Sequence, residues 1–304
     1  ETLMQNYMPG VSLAKTESLF ADYYHGLKKL LPKIEKKQQD RSPPHPLSGH
    51  YDSQAQMWLN TSLLKVLCFD FERGGLYQTG HNPVEGGTPD DTRLVIKSAD
   101  ESNFLSMLKS ALHEGGHGLY IQGLPRQTWR YQPVGQDLGA AMQESQALLV
   151  DMILGRSRAF FDFLAPRVEG LFHDIGNPEL SSENLYRLRT NVHQTVLRRG
   201  ADEVTYFFHV FLRFQLEKEI FDGKLKTADL PEAWNNKMQE LIGIKPDNYQ
   251  DGVLQDVHWF VGKFGYFPAY ALGHMMAAQF AEKMVEDLGD LDVYVLSGRM
   301  QAIK

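Results

Sequence analysis

Apolar positions recur at helical spacing along most of this chain. Leu19, Phe20, Tyr23, Leu27, Leu30, Leu31 and Ile34 line one face of residues 16–39, and that three-and-four spacing predicts a helix. Pro43, Pro44 and Pro46 break the pattern and predict a loop over 40–49. A second helix is predicted over 53–67. Residues 69–97 differ, with Gly74, Gly75, Gly80, Pro83, Gly86, Gly87 and Pro89 set around short β-prone runs. They predict a small antiparallel β element with a long turn. From there helices dominate. One is capped by Asp100 or Ser102 and stopped at Gly123-Leu124-Pro125. Others are expected over 138–154, 157–173, 182–199 and 202–222. Asp229 caps another, with Pro231 in its first turn, that stops at Gly243, and the last runs over 265–288. No repeat, low-complexity tract or linker divides the chain. The pattern therefore predicts one mainly α domain over residues 1–304, with a small antiparallel β element.

Composition narrows this reading. The 304 residues are 42% hydrophobic and 23% charged, an ordinary soluble balance. The net charge is −7 and no basic run stands out, so no nucleic-acid partner is expected. No apolar stretch approaches the roughly 20 residues that span a bilayer, and no signal peptide opens the chain. Cys68 is the one cysteine, which suits a reducing compartment. The expectation is a cytoplasmic protein.

The chemistry starts at His113-Glu114-Gly115-Gly116-His117, an H-E-x-x-H motif. Residues four apart share a helix face. His113 and His117 can therefore hold one metal ion, with Glu114 placed to act as general base on a bound water. A five-residue motif also arises by chance, and two helical histidines can be ordinary core or surface residues. Phe104, Leu105, Leu108, Leu112 and Leu119 give the segment a packed face. Gly115 and Gly116 each cost about 1 kcal/mol against Ala in a helix, so something is expected to approach the backbone closely there.

A catalytic zinc site needs a third protein ligand. Glu144 is the leading candidate, because Ala141, Leu148 and Met152 share its face and a carboxylate on an apolar stripe is expensive to bury unless paired or metal-bound. A salt bridge to an arginine is the alternative. Asp137 and Asp151 sit less well on that stripe. Two imidazoles and a carboxylate suit Zn2+, although Co2+ or Mn2+ fits the same ligands.

Several separated motifs together resemble the carboxypeptidase Taq family of metallocarboxypeptidases. They are Asp91-Thr92-Arg93, akin to D-x-R-x-T; the zinc motif; Glu144-Ser145-Gln146, akin to H-E-S-Q; the run from Leu197 to Asp202, akin to I-R-x-x-A-D; and the run from Gly252 to Trp259, a full match to G-x-x-Q-D-x-H-W. Departures are Val95 in place of Thr, Gln143 in place of His, and His81-Asn82-Pro83 where H-P-F is expected. They leave the ligands intact and bear on the shape of the substrate site. The resemblance implies a helical zinc-peptidase catalytic domain with the β element beside the metal helix. It also implies further helices N-terminal to this stretch, walling the cleft, and a C-terminus beyond it.

The implied activity is removal of C-terminal residues from peptide substrates, with a homodimer as the implied assembly. The resemblance points to His258 and Tyr270 as donors to the tetrahedral oxyanion, with Tyr266 as the competing tyrosine and packing as the plainer role for each. Arg198, and after it Arg93, would read the C-terminal carboxylate through a guanidinium fork. The alternative for Arg198 is a solvated helix end. Gln255 would hold substrate backbone, and Asp202 and Asp256 would orient ligands. Two other functional readings stand beside this one: a zinc endo- or oligopeptidase, and a metal-binding but inert core.

Overall fold

Helices begin where capping chemistry allows. The computed structural model describes residues 1–303, which group into two compact units. The first comprises 1–43, 139–141 and 190–272; the second comprises 44–138, 142–189 and the described residues from 273 onward.

In the first unit, α1 (Leu13–Gln39) starts at Ser12, whose side chain accepts from the Lys15 N–H. Its Phe20 packs edge-on against Phe207 and Phe214 of α7 (Tyr206–Phe221), at ring separations of 5.4 and 5.1 Å. Asp202 opens α7 by accepting from the N–H groups of Val204 and Thr205. α8 (Leu230–Leu241) packs on α7 and buries Trp234, Met238 and Leu241. Pro231 lies in its first turn as expected, whereas the Asp229 side chain makes no capping bond.

The second unit holds α2 (Ser53–Val66), three strands, α3 (Phe104–Gly123), α5 (Arg158–Leu171), α6 (Ser182–Thr190) and α10 (Leu291–Leu296). α4 (Ala140–Leu148) contributes its residues from Met142, and α9 (Pro268–Leu288) those from Gly273. Asn103 caps α3 by accepting from the Leu105 N–H, in place of Asp100 or Ser102. The helix expected over 138–154 is α4 followed by a π-helical turn, Leu149–Ile153.

Two expectations need correction. The β element is a mixed sheet of order β1-β3-β2, with β1 (Gly74–Thr79) parallel to β3 (Asp91–Lys97) and β2 (Val84–Thr88) antiparallel to it. β3 buries Thr92, Leu94 and Ile96 on alternate positions, so it takes the centre, whereas the apolar-poor β2 is left at an edge. The helix expected over 182–199 stops at Thr190. Beyond it, the Gln38 amide accepts from the Val192 N–H at 2.7 Å and donates to the Val192 carbonyl at 2.8 Å. That exchange takes both backbone groups which a continuing helix would use. No helix among the described residues is long and apolar enough to cross a membrane.

Candidate active site

α3 carries His113 and His117 one turn apart, with ring centroids 5.0 Å from each other. The two glycines between them explain how the other elements reach this face. A Cβ on Gly116 would lie 2.5 Å from the Ala147 Cα and 2.6 Å from the Gln146 carbonyl oxygen. A Cβ on Gly115 would lie 2.4 Å from a Leu64 methyl. The expected close approach is thus made by α4 on one side and α2 on the other. With α4 against the backbone of α3, Glu144 is brought to the histidines: its Oε2 lies 3.8 Å from His113 Nε2. One donor atom each from His113, His117 and Glu144 lie within 4.8 Å of one another.

Asp151 comes next. It lies seven residues after Glu144, within the π-helical turn, and the structure brings it to the same histidine. Its Oδ2 is 3.9 Å from His113 Nδ1, and its Oδ1 accepts from Arg189 Nη2 at 2.7 Å. Burial raises the Asp151 carboxyl, but Arg189, Lys109, Arg156 and His113 together hold it below its ordinary value. His113 therefore has a carboxylate at each ring nitrogen, one placed as a fellow ligand and one as an orienting partner. Asp202 and Asp256, expected in the orienting role, are engaged elsewhere: Asp202 caps α7 and Asp256 pairs with arginines.

Glu114 is buried beside this cluster. Burial pushes its carboxyl up to about 9, reinforced by Glu85, Glu144 and Asp151. Glu85 had no place in the sequence reading. It reaches α3 through the sheet register, where it stands opposite Leu94, a residue buried on the face toward α3. Arg93 stands opposite Gly86 and points to the exposed face, paired with Asp91 at 2.5 Å and with the Tyr77 hydroxyl. The structure therefore does not bring Arg93 to the histidines.

A second cluster forms within the other unit. Arg198 is buried rather than at a solvated helix end. It donates through Nε and Nη2 to Asp256 Oδ1 at 3.1 and 2.9 Å, and through Nη1 to the Tyr206 hydroxyl at 2.8 Å. Arg213, fully buried, donates to Asp256 Oδ2. Burial opposes the charge of Arg198, yet Tyr206 and Asp256 keep its pKa well above the ordinary value. Arg213 is pushed down to about 10, mainly by burial. Asp256, despite burial, is held far below the usual carboxylate range by the two guanidiniums. Two cations share one anion here, which leaves the cluster one positive charge in excess.

His258 Nε2 and the Tyr270 hydroxyl are 3.1 Å apart, while Tyr266 meets His258 through ring contact at 5.2 Å. Burial, then Arg198, lowers His258 to about 4, so its ring is neutral near pH 7. Glu217 of α7 fixes the segment between these residues by accepting from Trp259 Nε1 at 3.1 Å and from the Gly265 N–H. The Gln255 amide is committed to backbone: its oxygen accepts from the Arg198 N–H, and its nitrogen donates to the carbonyls of Val196 and Asp251. That geometry gives Gln255 a loop-ordering role in place of a hold on substrate.

The donor set of the first cluster suits a divalent cation: two imidazoles and a carboxylate converge, and the buried His117 Nδ1 has no hydrogen-bond partner among the described residues. A mainly α fold that presents such a set from H-E-x-x-H and a second helix is the arrangement expected of the helical metallopeptidase class. The chain belongs to the carboxypeptidase Taq (M32) metallopeptidase family, which it matches over residues 1–304. It is 37% identical over 303 residues to thermostable carboxypeptidase 1 of Thermus thermophilus, covering 99% of this chain and 58% of that protein. Carboxypeptidase 1 of Bacillus subtilis is 31% identical over 310 residues, covering 100% of this chain and 60% of that one. The solved structure of Trypanosoma cruzi metallocarboxypeptidase 1 matches with a TM-score of 0.94 at 34% identity, covering 100% of this chain and 63% of that chain. The chain thus spans about three fifths of the length of these relatives.

Proposed function

We propose that this chain carries the catalytic centre of a zinc-dependent metallocarboxypeptidase that hydrolyses the C-terminal bond of peptides, with residues 1–304 acting as one catalytic domain. The convergence of His113, His117 and Glu144 beside the buried Glu114 carries this reading. His113, His117 and Glu144 would hold the cation, which when bound supplies a Lewis acid for water activation and carbonyl polarisation. Glu114 takes the proton of the attacking water and hands it to the departing amine. Asp151, anchored by Arg189, keeps His113 in the tautomer that leaves Nε2 for the cation. His258 and Tyr270 supply hydrogen bonds to the oxyanion; neutral His258 and the Tyr270 hydroxyl are each able to donate one.

The excess charge of the arginine cluster favours a carboxypeptidase over an endopeptidase. Arg198 uses three of its five N–H groups on Asp256 and Tyr206. The remaining donors and the uncompensated charge suit a free C-terminal carboxylate. The lone Cys68 fits a reducing, cytoplasmic setting.

The test compares a free-acid peptide with its C-terminal amide, using the wild-type chain, a Glu114→Gln variant and a chelated sample. The expected outcome is hydrolysis of the free acid alone. Glu114→Gln should lower the rate by about 10²–10⁴-fold with the metal retained, and chelation should abolish it. Cleavage of the amide at an equal rate would favour the endopeptidase. Bound metal without hydrolysis of either peptide would favour an inert core.

A further inference from the structure

The cation centre has a fourth carboxylate that the family motifs do not include. Glu85 is the second residue of β2 and faces α3 through its pairing with Leu94. Its carboxylate lies beside that of Glu114. One donor atom each from Glu85, Glu114 and His117 lie within 4.8 Å of one another, so His117 belongs to both this triad and the one with His113 and Glu144. His117 and Glu114 are each more than nine-tenths buried, and His117 Nδ1 and Glu114 Oε2 lack hydrogen-bond partners among the described residues. The carboxylates of Glu85 and Glu114 thus stand close together on one side of His117, with Glu144 also within reach of that ring. Carboxylates crowded in this way repel one another unless a proton or a cation lies between them. Gly87, at φ 105°, and Gly86 follow Glu85 directly, so the edge strand can adjust locally to its side chain.

We infer that Glu85 is an additional ligand of the metal centre, whose carboxylate turns from beside Glu114 to contact the cation beside His117. Zinc tolerates a fifth donor. The inference rests on the proposed His113–His117–Glu144 site.

The test measures Zn2+ affinity by competition with a chelator, and the visible spectrum of the Co2+-loaded protein, for wild type, Glu85→Gln and Glu144→Gln. Glu85→Gln keeps the size of the side chain, so it isolates the anionic donor. The expected result is Zn2+ affinity at least about tenfold weaker together with an altered cobalt band. Unchanged affinity overturns the inference, and so does weaker affinity with an unaltered band, since that is field without ligation. Wild-type protein that binds no Zn2+ fails the site itself. Loss of binding in Glu144→Gln alone leaves the site standing and removes Glu85 from it.

Discussion

Asp151 and Gly116 show how residues that touch neither substrate nor water govern this centre. Asp151 bridges Arg189 and His113 from a buried position. In Asp151→Asn, metal affinity measured by chelator competition should fall about 10–100-fold. Unfolding in denaturant should show a loss of about 3–5 kcal/mol, because the amide removes the buried negative charge facing Arg189. Gly116→Ala drives a methyl against the α4 backbone. A stability loss of about 1–3 kcal/mol is expected, with weakened metal binding because Glu144 is displaced from the histidines. Unchanged metal content in that variant would show that α4 does not position the ligand. At this scale much of the centre was legible: the histidine spacing and the apolar stripe of Glu144 identify the three converging residues. Glu85 was not legible. A lone glutamate before two glycines shows its direction only once strand pairing is known, and pairing is a long-range property.

The same divide separates the elements. The helices α1, α2, α3 and α5 fall close to where periodicity and caps predict them, because those signals are local. The helix over 182–199 does not, because its stop is made by Gln38, 154 positions away in sequence from Val192. Gln38→Ala should strand a buried N–H and a carbonyl at Val192 and lower stability by about 1–3 kcal/mol in urea unfolding. A change under a few tenths of that would mean water replaces the amide. The sheet order was hidden for a related reason. Short links suggest a meander of neighbours, but the strand with three buried positions claims the centre whichever strand precedes it.

Across the whole molecule, Asp256 and His258 respond to pH in the direction opposite to Glu114. The carboxyl of Asp256 is depressed, so its contribution to stability is present above the unfolded value of about 3.8 and is lost as pH falls toward its folded value. His258 is lowered from 6.5 to about 4, so the unfolded chain takes up its proton first and stability also declines between those values as pH drops. Glu114 runs the other way. Raised from 4.5 to about 9 without metal, it favours the fold below 4.5, and that contribution disappears as pH climbs through 9. Chelated protein should therefore lose thermal stability from pH 5 to pH 9, while protein saturated with Zn2+ should not. The gap in melting temperature between the two samples should widen with pH, and a constant gap would count against the acidic crowding around Glu114. Loading at 100 times the dissociation constant adds about 2.7 kcal/mol on mass action alone. Beyond the proposed hydrolysis, a cation bound at this site would be a counter-charge for a knot of acids, and its loading would extend the alkaline limit of folding.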